Sequence, residues 1–140
     1  MLYADGTGAC WGRQQDFQLG APNRSDYPTP VPVTGLAGAT AIFGGFNHSC
    51  AVLSSGKLEC WGKNHLGQLG NGSTGGLHRP WDPALGLAGV VGGDAGFDAT
   101  CVILDSGSLK CWGDNIDGQV GVSARIDQRR TSRGGEEVVG

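Results

Sequence analysis

The chain has 140 residues, 39% hydrophobic and 16% charged, and 27 of them are glycine. That balance is too apolar for a disordered chain and too glycine-punctuated for long helices, and no apolar run approaches the roughly 18 residues of a membrane span. A net charge of −3 gives no electrostatic basis for a nucleic-acid partner.

In chain order, Met1 to Gly6 has neither a basic region nor an apolar core, so no secretory signal is read there. Ala4-Asp5-Gly6 reads as a loop closing on glycine, and Cys10-Trp11-Gly12 follows it on a short β-prone run. Gln14 and Phe17 lie in the next turn, which closes at Gln18-Leu19-Gly20. From Gly20 to Leu36 the chain carries Pro22, Pro28, Pro30 and Pro32, a density that permits only turns and edge strands. A surface excursion re-entering at Pro32-Val33 is expected, then a strand at about Thr40 to Phe43.

The most informative stretch is Cys50-Ala51-Val52-Leu53, Ser54-Ser55-Gly56, Lys57-Leu58-Glu59-Cys60. A three-residue loop ending in glycine predicts a hairpin. With Leu53 opposite Lys57, the register continues until Cys50 faces Cys60, within the span that a disulfide needs. The same unit recurs as Cys101 to Cys111 around Asp105-Ser106-Gly107, predicting a second cross-strand disulfide. Nine residues between cysteines, without Cys-x-x-Cys or a histidine pair at zinc spacing, argue against a metal site.

Cys-Trp-Gly occurs at 10–12, 60–62 and 111–113, and Gln-Leu-Gly at 18–20 and 68–70 returns as Gln119-Val120-Gly121. A period near 50 residues with several strands per unit predicts propeller blades. The repeats are expected at 1–38, 39–89 and 90–140, as a single incomplete propeller-type domain whose last connector is degenerate. Shifting the hairpin back by one period puts the partner of Cys10 before Met1, so Cys10 is expected to be unpaired and the chain to begin inside a blade. Seven blades at this period would need about 350 residues, so further blades are expected from the rest of a longer chain or from another copy.

The second connector carries Pro80 and Pro83 and is expected to re-enter at Pro83-Ala84. Propeller connectors lie on the rims, where binding residues gather. Arg24, Asp26 and Tyr27 in the first connector, and His78, Arg79, Trp81 and Asp82 in the second, are therefore the candidate protein contacts. Past Gly121, Arg125, Arg129, Arg130 and Arg133 alternate with acidic residues and read as a solvated tail. The G-x-G-x-x-G match at 70–75 has no helix-forming stretch behind it, and the calcium-like run near Asn115 has glycine and alanine at ligand positions. No nucleophile with a matched base and no paired carboxylates are seen, so neither catalysis nor a cofactor is expected.

Trp61-Gly62-x-Asn64-x-x-Gly67-Gln68-Leu69-Gly70, preceded by His48-Ser49-Cys50-Ala51-Val52-Leu53, resembles the repeat of the regulator of chromosome condensation family. Trp112, Gly113, Asn115, Gly118, Gln119 and Gly121 match nearly as well, and Trp11 and Gly12 keep the start of the motif. In the first copy Gln14 and Phe17 stand where Asn64 and Gly67 do, so that loop is expected to lose its glycine-dependent turn. The resemblance implies an all-β, seven-bladed propeller with four short antiparallel strands per blade. It also implies roles from guanine-nucleotide exchange on a small GTPase to protein inhibition and scaffolding, and disulfide-bearing versions are typical of exported bacterial proteins. The expectation is a non-catalytic protein-binding scaffold outside the cytoplasm. The alternatives are a nucleotide-exchange regulator and a specificity module of a larger enzyme.

Overall fold

The computed structural model describes residues 1–83 and 87–115, with 77–83 described as backbone alone. Gly118, Gln119 and Gly121, and the arginines beyond them, lie outside the described residues. Nine strands are described: β1 (Ala9–Gly12), β2 (Tyr27–Pro32), β3 (Ala39–Gly44), β4 (His48–Leu53), β5 (Leu58–Lys63), β6 (Leu77–Pro83), β7 (Val90–Ala95), β8 (Ala99–Leu104) and β9 (Leu109–Gly113). They form three antiparallel sheets, β1-β2, β3-β4-β5-β6 and β7-β8-β9, and no helix occurs among the described residues. The fold is all-β.

Each sheet is built outward from its hairpin. Gly56 and Gly107 adopt φ of 80° and 89°, the left-handed geometry that closes a three-residue loop. Leu53 N–H bonds Lys57 O at 2.9 Å, and the register runs Val52 to Leu58, Ala51 to Glu59 and Cys50 to Cys60. The structure joins Cys50 to Cys60 and Cys101 to Cys111, each pair with α-carbons 4.1 Å apart. Cys10 has no disulfide partner.

The connectors do more than skirt the surface. Tyr27–Pro32 is strand β2 beside β1, and Leu77–Pro83 is strand β6 at the outer edge of its sheet. The prolines confine these segments to the edge because a proline nitrogen cannot donate to a further strand. His78 therefore stands opposite Gly62, and Asp82 opposite Cys60. With Arg79 and Trp81 they belong to a sheet strand and not to a loop.

The sheets pack face against face, and the apolar cores lie between them. Cys50, Val52 and Leu58 of the second sheet meet Val90, Val102 and Trp112 of the third in one cluster. Val33 and Leu36, which follow β2, meet Ala39, Ala51 and Trp61 in another. At one end, the Gly6 and Gly56 loops clip onto the strands that open the second and third sheets. Ala39 N–H bonds Gly6 O at 3.0 Å, and Val90 N–H bonds Gly56 O at 2.9 Å. A Cβ on Gly6 would stand 2.8 Å from Gly38 N, so glycine lets these backbones meet.

Candidate protein-binding rim

At the opposite end of the sheets emerge the loops after β1 and β5 and the tight β3–β4 and β7–β8 turns. The first loop is organised by Gln14, whose side chain is fully buried. Its Nε2 donates to Ala21 O at 2.9 Å and Asn23 O at 2.8 Å, and its Oε1 accepts from Leu19 N–H at 2.8 Å. Asn64 repeats this in the second loop. Its Nδ2 donates to Asn71 Oδ1 at 3.0 Å and Ser73 O at 3.1 Å, and its Oδ1 accepts from Leu69 N–H at 3.1 Å.

The expected loss of the turn in the first copy is corrected here. Phe17 takes φ 61° beside 76° for Gly67, and Phe17 N–H bonds Gln14 O at 3.1 Å as Gly67 N–H bonds Asn64 O at 3.3 Å. A left-handed non-glycine residue costs roughly 1–2 kcal/mol. The Arg24 guanidinium, 5.8 Å from the centre of the Phe17 ring, offsets part of that cost.

Arg24, Asp26 and Tyr27 share this first loop and its junction with β2, and each is tied down. Arg24 Nε donates to Gln15 O at 2.6 Å, Asp26 Oδ1 accepts from Gln14 N–H at 2.9 Å, and the Tyr27 hydroxyl donates to Asn23 Oδ1 at 2.9 Å. Arg24 and Asp26 remain exposed. The structure does not bring them together with His78, Arg79, Trp81 and Asp82, which lie on the edge strand β6 of the next sheet.

A feature the sequence reading missed stands on the inner turns. Phe46 and Phe97 occupy the same repeat position, and their rings stack with centroids 4.4 Å apart at 19°. Both are more than half exposed, at 56% and 65%. Phe46 N–H bonds Phe97 O at 3.0 Å, locking the two turns together. Gly45 permits this approach, since a Cβ there would collide with the Gly96 carbonyl oxygen. The signal was present in Gly45-Phe46 and Gly96-Phe97, where a large apolar residue recurs in a turn.

Beneath the turns, polar groups bind the sheets to each other. The Gln18 carbonyl accepts from Ser49 Oγ at 2.7 Å and Trp61 Nε1 at 3.0 Å. The Gln68 carbonyl accepts from Thr100 Oγ1 at 2.7 Å and Trp112 Nε1 at 2.9 Å. Because the Thr100 proton goes to Gln68, His48 Nε2, 2.8 Å from Thr100 Oγ1, carries the proton of that contact. His48 Nδ1 is then a bare acceptor, with no partner among the described residues. Burial, with a smaller contribution from His65, lowers the pKa of His48 from 6.5 to about 4. Gln68 Nε2 donates to Asp98 Oδ1 at 3.0 Å, and His65 Nε2 lies 3.7 Å from Asp98 Oδ2. Burial raises the carboxyl pKa of Asp98. These ionisable groups hold the seam between sheets, and no group of three His, Cys, Asp or Glu suited to a metal occurs among the described residues.

Comparison with known proteins places these repeats. The chain is 34% identical over 135 residues to the ultraviolet-B receptor UVR8 of Arabidopsis thaliana, covering 91% of this chain and 31% of that protein. Among solved structures, human WBSCR16 superposes with a TM-score of 0.79 at 19% identity, over 94% of this chain and 34% of its own. Yeast RCC1 (Prp20), solved with Kap60 bound, gives 0.74 at 22% identity, over 96% and 35%. The chain thus spans about a third of the length of these proteins. Profiles of the regulator of chromosome condensation (RCC1) repeat match residues 10–52, 39–68 and 90–119. With the hairpin, the Trp-Gly turn and the buried Gln-Leu-Gly carbonyl repeated in register, the chain belongs to the RCC1 repeat family.

Proposed function

We propose that the chain is part of a non-catalytic protein-binding scaffold that works outside the cytoplasm, and that its contact surface is the rim carrying Phe46, Phe97 and the Arg24–Tyr27 loop. The observation that carries this reading is the stacked phenylalanine pair. Two large rings are held rigidly by a backbone hydrogen bond between blades yet left more than half in water. Exposed apolar surface on a rigid support is what a partner buries, and aromatic and arginine side chains lead such contacts. The Arg24 loop stands at the same end of the blades, held by Gln14 and Asp26. The extracytoplasmic part rests on the two cross-strand disulfides, a bond type that persists in oxidising compartments.

The binding test replaces both rings by serine. The Phe46→Ser, Phe97→Ser chain should unfold at nearly the wild-type urea midpoint and lose a partner that the wild-type chain retains from its native extract. Recovery of the same proteins by both chains refutes the rim. Alkylation of the natively produced protein under denaturing, non-reducing conditions, followed by peptide mapping, tests the compartment: Cys50, Cys60, Cys101 and Cys111 should resist the reagent, and reaction at all four would refute it.

A further inference from the structure

His48 opens β4 directly after the turn that carries Phe46, and its ring reaches into the seam between the second and third sheets. Its backbone closes that turn, since Gly45 N–H bonds His48 O at 2.9 Å. Across the seam, His48 Nε2 meets Thr100 Oγ1 at 2.8 Å. On the turn side the ring lies against backbone: a Cβ on Gly45 would stand 2.6 Å from His48 Cε1 and 2.9 Å from Nδ1, and would also collide with Gly96 O. One imidazole, 1% exposed, is therefore packed where the two rim turns meet. The third copy has Ala99 at this position, so the feature belongs to this seam.

These surroundings suit a neutral ring. Thr100 gives its proton to Gln68 O, so Nε2 donates, and Nδ1 is left with no partner among the described residues. A second proton, on Nδ1, would bury a cation with an unsatisfied donor. The charged groups on the neighbouring elements do not compensate it. His65, on the loop after β5, opposes a charge on His48, while Lys63, beside the cross-strand neighbour Gly62, and Arg13, which borders a hollow shared with His48, are cationic. On the third sheet, Asp94 accepts from Ala95 N–H, and the buried Asp98 faces Gln68 Nε2 and His65 Nε2. Burial raises the pKa of Asp98, and Asp114 adds to the rise, so acid removes that negative charge as well.

We propose that His48 is an acid latch on the phenylalanine rim. Neutral, the ring fills the seam and holds the turns at the spacing that stacks Phe46 on Phe97; protonated at Nδ1, it moves out of the seam to water, and the turns part with it. The driving force is the difference in proton affinity between the two places. With a pKa of about 4 in the seam and 6.5 in water, the open form takes up the proton first, so the latch is closed above pH 6.5 and loosens as pH falls toward 4. Where the rim binds a partner, as proposed above, the closed form is the one that binds and acid weakens the complex; that consequence rests on the rim reading, and the latch itself does not.

Native-state hydrogen exchange reads the latch without a partner, because the Phe46 amide is protected by its 3.0 Å bond to Phe97 O. Corrected for the intrinsic exchange rate, that protection should fall by about a hundredfold in the wild-type chain between neutral pH and pH 4. Dilute urea should leave it unmoved, as a local opening exposes little new surface. In His48→Gln, and in His48→Ala, which carries the residue found at this position in the third copy, protection should be nearly flat over the same pH range. An equal fall in both variants overturns the proposal. So does a urea dependence as steep as that of the Leu53 amide, bonded to Lys57 O in the hairpin, which would mean that the turns part only when the chain unfolds. No partner enters this measurement, so its failure leaves the rim reading standing, and failure of the Phe46→Ser, Phe97→Ser test leaves the latch standing.

Discussion

Two donors on one carbonyl make a measurable coupling between blades. Ser49→Ala removes the 2.7 Å hydroxyl bond to Gln18 O and leaves the Trp61 indole in place, a loss of about 1 kcal/mol. Trp61→Phe removes the indole bond at a similar cost, and the smaller ring leaves a cavity worth on the order of 1 kcal/mol more. Independent effects would sum to about 3 kcal/mol. In the double variant, however, the Gln18 carbonyl stays buried with neither donor, and stranding a buried acceptor costs a further ~1–3 kcal/mol. Urea unfolding of the four proteins, read where the denaturant slope is unchanged, should therefore give a double variant weaker by roughly 1 kcal/mol or more than the sum of the singles. Additivity within about 0.3 kcal/mol would mean that the carbonyl finds other donors and that the clamp is not cooperative.

Gly45→Ala should lose about 1–3 kcal/mol and expose the Phe46 amide to hydrogen exchange, while Gly96→Ala, whose Cβ meets nothing within 4 Å, should cost under about 0.5 kcal/mol. Replacing Cys50 and Cys60 by alanine should lower stability by up to about 3 kcal/mol for a ring closed at a separation of 10, read from urea midpoints. Acid should weaken the seam through His48. With a pKa near 4 in the fold and 6.5 unfolded, the unfolded chain takes up the proton first, so stability is full above pH 6.5 and falls as pH drops toward 4, by up to roughly 3 kcal/mol. Asp98, whose pKa is raised, slopes the other way, so the reading is the difference between wild type and His48→Gln at each pH, which should vanish as a pH-dependent quantity if His48 is not buried neutral.

The hairpins were legible in the sequence because local chemistry decides them. A glycine at the left-handed position sets the loop, and the loop sets which cysteines meet. The recurrence of Trp61 and Trp112 at a fixed step from the hairpin was legible too, and in the structure both rings are fully buried between sheets. The outer strands were harder to see. Proline marks an edge, but whether an edge segment pairs or wanders depends on a strand 15 or more residues away, as with Val31 opposite Cys10. Phe17 shows the limit of a residue rule. Glycine is the cheapest occupant of a left-handed turn, yet the Gln14 bonds and the Arg24 contact hold phenylalanine there. His48 was illegible altogether, because its hydrogen-bond partner Thr100 lies 52 positions on, in the next sheet.

The seam also explains which parts of a repeat are free to differ. Trp61 and Trp112, with Ser49 or Thr100, must reach a carbonyl in the preceding repeat, and Gly62 and Gly113 leave no room for a side chain against Asn47 O and Asp98 O. These positions serve the contact between blades and repeat because that contact repeats. Asn47 and Asp98, or His48 and Ala99, sit one step further toward the rim and already differ between copies. The Arg24 loop and the edge strand β6 differ entirely. Of the positions that differ, Asn47, His48 and Asp98 are buried and the Arg24 loop is exposed, so discrimination between proteins of this architecture falls to loops of that kind, beside the exposed stack of Phe46 and Phe97 at the same end of the sheets.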